Sequence, residues 1–337
     1  MGESIVDYET LTDLCIKKFM QLNVPADHAR ISAEVLVHAN LRGVDSHGIM
    51  RMEHYINKIT QGGIKPNPHI TFQETGPVTA LVDGDDGLGH VVAYKAMEEA
   101  IRLAQEKGVG MVGAVNSSHC GALSYFVQMA AEHNLIGIVM SNTDKAVVPF
   151  GGKAKFFGTN PMAFGFPARR NPSIILDMAT STVAFGKVFD YRLRNEPIPP
   201  NWGVDREGRS VTDPHQVESM LHFGGAKGFG LAMVVDIFSS ILLGAAFGPH
   251  VSLMYGGDLS QPRKLGQYFC VVNPSFFTDL EGFLDQIDQM IDDIHAAPPA
   301  EGYTRVMVPG EPETRQEAKR REHGIPIPGE CFAYLNG

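Results

Sequence analysis

Apolar residues recur at helical spacing through the first sixty positions and in short runs after them. Residues 8–20 are periodic, and residues 23–26, with Pro25, break the pattern. Residues 27–41 put Ile31, Val35 and Ala39 on one stripe and meet Gly43 as a stop signal. Val44-Asp45-Ser46 is a turn that opens a third helix reaching about Thr60. Gly62-Gly63 ends it, and Pro66 and Pro68 mark a linker. Beyond the linker the period changes. Residues 78–82, 109–115 and 136–141 predict strands, residues 91–106 and 122–132 predict helices, and residues 84–89 and 116–121 are loops. Further strands fit residues 174–177 and 268–272. Alternating short apolar runs and helices argue for an α/β (α+β) fold. Residues 283–294 are helical again, and a Pro/Gly-rich tail follows. The expected organisation is a helical body from residues 1–75 and about 255–337, with an α/β domain of about 76–254 inserted in it.

Composition narrows the classes. The chain has 337 residues, 44% hydrophobic and 20% charged, which excludes a disordered chain, a collagen and a coiled coil. The net charge of −10 and the lack of a basic run make nucleic acid and anionic membranes poor partners. Cys15, Cys120, Cys270 and Cys331 are far apart with no CxxC pair, as expected of reduced thiols in a cytoplasmic protein. The N-terminus has no apolar core of a signal peptide. Residues 228–248 (GFGLAMVVDIFSSILLGAAFG) approach the length of a membrane span but carry Asp236 near the centre. They read as a buried helix under a sheet or at a subunit contact. No metal-ligand spacing occurs among the 13 histidines, so no metal site is expected.

Three segments carry candidate chemistry. In the third helix His47, Arg51 and Tyr55 fall at i, i+4 and i+8, opposite Ile49, Met52, Ile56 and Ile59. An arginine on a rigid helix suits a bidentate carboxylate contact, of about 1.5–3 kcal/mol. On spacing alone, an ordinary hydrated helix face is the simpler account. Asn116-Ser117-Ser118-His119-Cys120-Gly121 joins a strand to a helix, where α/β sheets place ligands. A helix N-terminus beside His119 would keep its imidazole neutral and fit for a general base. A histidine bonded to loop backbone fits the position equally well. Cys120, near the same terminus, is a candidate thiol. Gly224-Gly225-Ala226-Lys227-Gly228 before the apolar helix offers amides and an ammonium to a phosphate or carboxylate, though a flexible linker has the same composition. GxGxxG occurs once, at Gly108 to Gly113, but follows a helix and runs into a strand, the wrong context for a dinucleotide fingerprint.

The whole pattern resembles one family. Asp45-Ser46-His47-Gly48 with Arg51 and Tyr55, the His119 loop, Phe157-Gly158-Thr159-Asn160-Pro161, Leu176-Asp177-Met178-Ala179-Thr180-Ser181, Lys227-Gly228 and Val308-Pro309-Gly310-Glu311 are similar to the motifs of the malate/L-lactate/sulfolactate dehydrogenases, in order. These are unrelated to the Rossmann-type malate and lactate dehydrogenases. The resemblance implies a homodimer or larger homo-oligomer with a non-Rossmann NAD-binding fold on a mixed sheet. It implies hydride transfer between NAD, with NADP not excluded, and the secondary alcohol of a 2-hydroxy carboxylate. It makes His119 the acid/base, assisted by Arg51 and His47, and places Ser46, Arg51 and Tyr55 at the substrate. It places Thr143, Asp177, Met178, Ala179, Lys227, Pro309, Gly310 and Glu311 at the cofactor. Cys120 and Lys145 depart from the family pattern. A 2′-phosphate needs a nearby cation, and Arg169-Arg170 is a candidate source. A non-catalytic nucleotide-binding protein and a Cys120 thiol enzyme are the readings outside the class.

Overall fold

The opening helices form where their periodicity places them. The computed structural model describes residues 2–337. After a short strand β1 (Glu3–Val6), helix α1 (Tyr8–Met20) is capped by Asp7, whose carboxylate accepts the Thr10 N–H at 2.8 Å. Leu11, Cys15 and Phe19 line its buried stripe. Helix α2 (Ala26–Leu41) is buried on nearly all sides from Ile31 onward. The third predicted helix is different. Residues 45–51 form two 3₁₀ turns, Asp45–His47 and Ile49–Arg51, and only then does α3 (Met52–Thr60) begin. The expectation that His47, Arg51 and Tyr55 share one helical face is therefore wrong. The reason lies at Gly48, where the chain passes so close to α2 that a Cβ would fall 2.1 Å from Asn40 Oδ1.

A seven-stranded mixed sheet follows. Its strands are β2 (Thr71–Gly76), β3 (Thr79–Asp83), β4 (Val109–Ser117), β5 (Ile136–Ser141), β6 (Met162–Phe166), β7 (Ile174–Met178) and, after the short pair β8 (Gly203–Val204) and β9 (Ser219–Met220), β10 (Leu265–Val272). The spatial order is β2-β3-β4-β10-β5-β6-β7. β3 and β4 are parallel, and all other pairs are antiparallel. It follows that β3, β4, β5 and β7 all run the same way, so their C-terminal ends share one edge of the sheet. Helices α4 (Gly89–Lys107) and α5 (Ser124–Glu132) cover one face, with Phe126 against Phe269. After α6 (Phe185–Arg194) of the outlying segment, α7 (Ala226–Ser239) lies on the other face, with Phe238 against Tyr268. Gly108, in a left-handed conformation, ends α4, so the GxGxxG match is a helix stop running into β4.

Three expectations need correction. β2 and β6 were not predicted; β2 reads Thr-Phe-Gln-Glu-Thr-Gly with no apolar alternation, and β6 is a five-residue strand between prolines. The apolar stretch is not buried throughout. Asp236 is 3% exposed and accepts from Gly248 N–H at 3.0 Å, yet Leu231, Met233, Val234 and Ile237, and Ile241 and Leu242 beyond the helix, face outward. The Pro/Gly-rich tail is ordered. α8 (Leu280–Ala296) is followed by α9 (Glu311–His323), β11 (Ile325–Pro328) and α10 (Gly329–Asn336), the prolines and glycines marking the borders. β11 pairs with β1, and Ile325, Ile327 and Leu335 join α1 to α3 in one core. The segment from residue 255 onward is thus divided, because β10 occupies the centre of the sheet while β11 and α10 pack on the N-terminal helices.

Asp288 on α8 is fully buried and ties the helix to the turn after β6. It accepts N–H bonds from Arg169, Arg170 and Asn171 at 3.2, 2.9 and 2.9 Å. Burial works against the charge, but these N–H donors and the Asn171 side chain outweigh it and hold the carboxyl below its usual range. Asp288→Ala is expected to cost about 3 kcal/mol, the scale of losing several bonds to one charged acceptor. Thermal unfolding will check it. The deficit should be full near neutral pH and shrink only as pH falls through the depressed carboxyl value, where the wild type also loses the contribution.

Candidate active site

The shared sheet edge collects the expected site residues. His119 lies two residues beyond β4, Thr143 two beyond β5, and Asp177 and Met178 end β7. The parallel course of these three strands, not sequence proximity, brings the loops to one side.

The first cluster forms around His119. Tyr55, 1% exposed on α3, bonds His119 Nδ1 through its hydroxyl at 2.6 Å. The His47 ring stacks on that of His119 at 5.7 Å. Ser46 Oγ is 3.1 Å from His47 Nδ1. Arg51 Nε donates to Ser46 O at 2.6 Å. Among the described residues, the terminal nitrogens of Arg51 and His119 Nε2 have no protein hydrogen-bond partner, so both are available to a ligand. Tyr55 sits on the buried side of α3 rather than at the edge of a wet face, and it meets the cluster through His119.

His119 is held neutral, but not by a helix end. α5 starts five residues further on, at Ser124. Burial is the main cause, and the neighbouring His47, Arg51, Arg263 and His90 add to it, pushing the imidazole well below its ordinary value. Burial and Arg51 likewise push His47 down to about 4. Burial pushes the Cys120 thiol up to about 12, which leaves no thiolate and removes the thiol-enzyme reading.

The second cluster joins the ends of β5, β6 and β7. The Thr143 hydroxyl accepts from Asn160 N–H at 3.3 Å, and Thr180 Oγ1 donates to Thr159 O at 2.9 Å. Asp177 accepts the Ser124 N–H at 2.7 Å, which ties β7 to the segment after His119. Met178 and Ala179 continue the same half-buried stretch. Pro309 O accepts from Ile175 N–H on β7 at 3.2 Å, and Gly310 has φ +85°, where a Cβ would meet Ile175 O at 2.6 Å. Glu311 is already engaged by His295, Arg305 and Arg315. Lys227 is exposed in the first turn of α7, without a side-chain partner among the described residues. Arg169 and Arg170 pair with Glu281, Asp285 and Asp292. Carboxylates of α8 thus already hold both guanidinium groups considered for a 2′-phosphate. A cavity of about 570 Å³ between Phe150, Thr182, His222 and Gly225 takes in Gly224 and Gly225 of the glycine-rich loop and none of the other expected site residues.

Sequence reasoning missed several neighbours. Tyr255 lies under the Arg51 guanidinium at 5.4 Å and beside His54 at 5.3 Å. Arg263, 4% exposed, holds that loop through Ser252 O at 2.9 Å and Asp144 at 2.6 Å. Buried Asn40 and Arg320 meet the half-buried Asp45 at the base of the 3₁₀ turns. No spacing rule could have joined residues 200 or more positions apart. The run Asp144-Lys145 was noted only as a departure.

Comparison with known proteins assigns the family. The malate/L-lactate dehydrogenase family model matches residues 6–336, so the chain belongs to that family and is by class a hydroxy-acid dehydrogenase. Among its relatives, the ureidoglycolate dehydrogenase (NAD(+)) of Escherichia coli K12 is 42% identical over 330 residues, 98% of this chain and 94% of the relative. The sulfolactate dehydrogenase structure from Methanocaldococcus jannaschii superposes with a TM-score of 0.93 at 38% identity, covering 98% of this chain and 95% of the other. Malate dehydrogenase from Pyrococcus horikoshii gives 0.89 at 35% identity, covering 99% and 94%.

Buried and half-buried neutral histidines link stability to acid. His38 and His90 are pushed down to about 3, and His47 and His54 to about 4, burial leading in each case. The unfolded chain binds these protons near the ordinary value of about 6.5, earlier than the folded one does. Their contribution is therefore full above that value and declines as pH falls toward 4. Calorimetry between pH 7.5 and 4.5 should show a falling Tm, and a rising Tm would contradict the burial argument.

Proposed function

We propose that this chain oxidises the secondary alcohol of a 2-hydroxy carboxylate with NAD, and that its substrate is (S)-ureidoglycolate, giving oxalurate. The observation that carries the chemistry is the contact of buried Tyr55 with half-buried His119, whose imidazole feels the charge of Arg51. The substrate rests on the likeness to the ureidoglycolate enzyme, the relative of 42% identity. Malate and sulfolactate dehydrogenases at 37% and 39% identity support the second reading, a malate or L-lactate type enzyme with the same machinery.

The residues present fit the cofactor. Thr143 offers a hydroxyl, Lys227 an unpaired ammonium, and the first turn of α7 free amides for a pyrophosphate. Asp177, Met178 and Ala179 line the approach, and the Cβ-free bend at Gly310 leaves backbone close to β7. The engagement of Arg169 and Arg170 favours NAD over NADP. When bound, nicotinamide supplies the carbon that accepts hydride from the alcohol carbon.

The chain's own residues bind, orient and move the proton. Arg51 takes the carboxylate with its planar fork, and Tyr255 beneath it limits how the guanidinium can turn. To act as base His119 carries its proton on Nδ1, shared with the Tyr55 oxygen although the Gly121 N–H also points at that nitrogen from 3.4 Å. Nε2 then presents a lone pair and takes the hydroxyl proton from the substrate. After the product leaves, burial and the charge of Arg51 favour release of that proton to solvent, which resets the base. Ser46 and His47 flank the reacting oxygen. We also infer a homodimer, with the outward Leu231, Met233, Val234 and Ile237 of α7 covered by a second copy; light scattering should give twice the chain mass, and a stable monomer would refute it.

Absorbance of NADH with ureidoglycolate, malate, lactate and sulfolactate tests the substrate. Reduction of NAD by ureidoglycolate above the others is expected; activity on malate or lactate alone keeps the class and moves the substrate. His119→Ala should lower turnover by about 10²–10⁴-fold while NADH still binds. Unchanged turnover would remove His119 from the chemistry. Arg51→Lys should raise KM for the hydroxy acid far more than it weakens NADH, and equal losses would point to a folding defect.

A further inference from the structure

The turns that carry Ser46, His47 and Arg51 are short and 3₁₀, a geometry that rarely holds its shape alone. What fixes them comes from elsewhere in the chain. The Asp45 carboxylate receives Arg320 Nη1 at 2.6 Å and Nη2 at 3.0 Å, a two-point contact from the far end of α9. Asn40 of α2 donates to the same carboxylate at 2.7 Å and accepts the Ile49 N–H at 2.8 Å, so it clasps both turns. Arg320 also donates to Asn40 O. The guanidinium is 8% exposed, and its Nε has no partner among the described residues. It is therefore aligned for Asp45 and Asn40 at the expense of its own third donor.

None of these groups reaches His119 or the cofactor stretch. Their one shared product is the shape of residues 45–51. α9 is itself anchored, since Arg42 of α2 contacts Glu317 at 3.3 Å and Gly310 O at 3.3 Å. Arg320 thus projects from a braced helix into turns whose own bonds are local, such as Arg51 Nε to Ser46 O.

We infer that Arg320 is a positioning residue, holding Asp45 so that His47 and Arg51 meet the hydroxy acid in register. The inference rests on the proposed function for its kinetic consequence. An error of about 1 Å in such a register costs on the order of 10²-fold. The effect should fall on the hydroxy acid and spare NADH.

The test compares wild type, Arg320→Ala, Arg320→Lys, Asp45→Asn and the double variant Arg320→Ala/Asp45→Asn, with Lys319→Ala on the exposed side of α9 as control. Three readouts are needed: kcat and KM for the hydroxy acid, the Kd for NADH by fluorescence, and hydrogen exchange of residues 45–51. Arg320→Ala should lose on the order of 10²-fold in kcat/KM, with NADH affinity within about twofold of wild type by the same argument. Arg320→Lys should recover part of the loss, and the double variant should be no worse than Arg320→Ala, because both break one contact. The Ile49 amide should exchange faster in Arg320→Ala than in Lys319→Ala. Equal loss of NADH and hydroxy-acid affinity, or exchange unchanged at residues 45–51, would overturn the inference. If Arg320→Ala fails to fold, the near-isosteric Asp45→Asn supplies the same comparisons. If the wild type turns over no 2-hydroxy acid, the functional reading fails, and the exchange measurement still decides the positioning role.

Discussion

The site depends on one hydrogen bond made out of water, Tyr55 hydroxyl to His119 Nδ1 at 2.6 Å. The bond orients the imidazole and leaves Nε2 as the ring atom free to act. It forms because α3 buries Tyr55 completely in the core of the N-terminal helices while the β4 loop brings His119 over it. The same surroundings keep the ring uncharged, and His47 and the cationic Arg51 and Arg263 deepen the effect. A histidine in that state is a base without competition from solvent protons.

The sheet supplies the other constraint. Because β4, β5 and β7 run in one direction, three loops that are 24 to 34 residues apart in sequence open at one edge. Asn142 at the end of β5 locks this edge, bonding Ser240 at 2.8 Å and Gly266 at 3.1 Å. The N-terminal helices then bring the substrate turns to the edge from outside the sheet. Under the proposed function, proton transfer falls to a loop held by rigid strand ends and carboxylate binding to a braced turn.

Much of this was legible in the sequence, for physical reasons. α1, α2, α4 and β5 have clean periodicity and strong borders, and they form where the pattern places them. The motifs around His119, Thr143 and Asp177 lie at strand ends, where ligands gather. The third helix misled because tertiary contact with Asn40 outweighs the local tendency to continue a helix through Gly48. The helix-end account of His119 failed because α5 begins late, although the neutral ring it expected is present for another reason. β2 escaped because an edge strand with exposed polar residues has no apolar alternation. Arg320, Tyr255 and Arg263 could not be read at all, since their roles arise only when distant segments meet.

The central claim is that a half-buried, neutral His119 is the acid/base of hydroxy-acid oxidation. The pH dependence of kcat/KM for the alcohol tests it most directly, because that ratio reports the ionisation of the free enzyme. The account predicts an acid limb lying well below the ordinary histidine value of about 6.5, and its disappearance from the residual activity of His119→Gln. An acid limb at or above that value, or one that survives in His119→Gln, would contradict it.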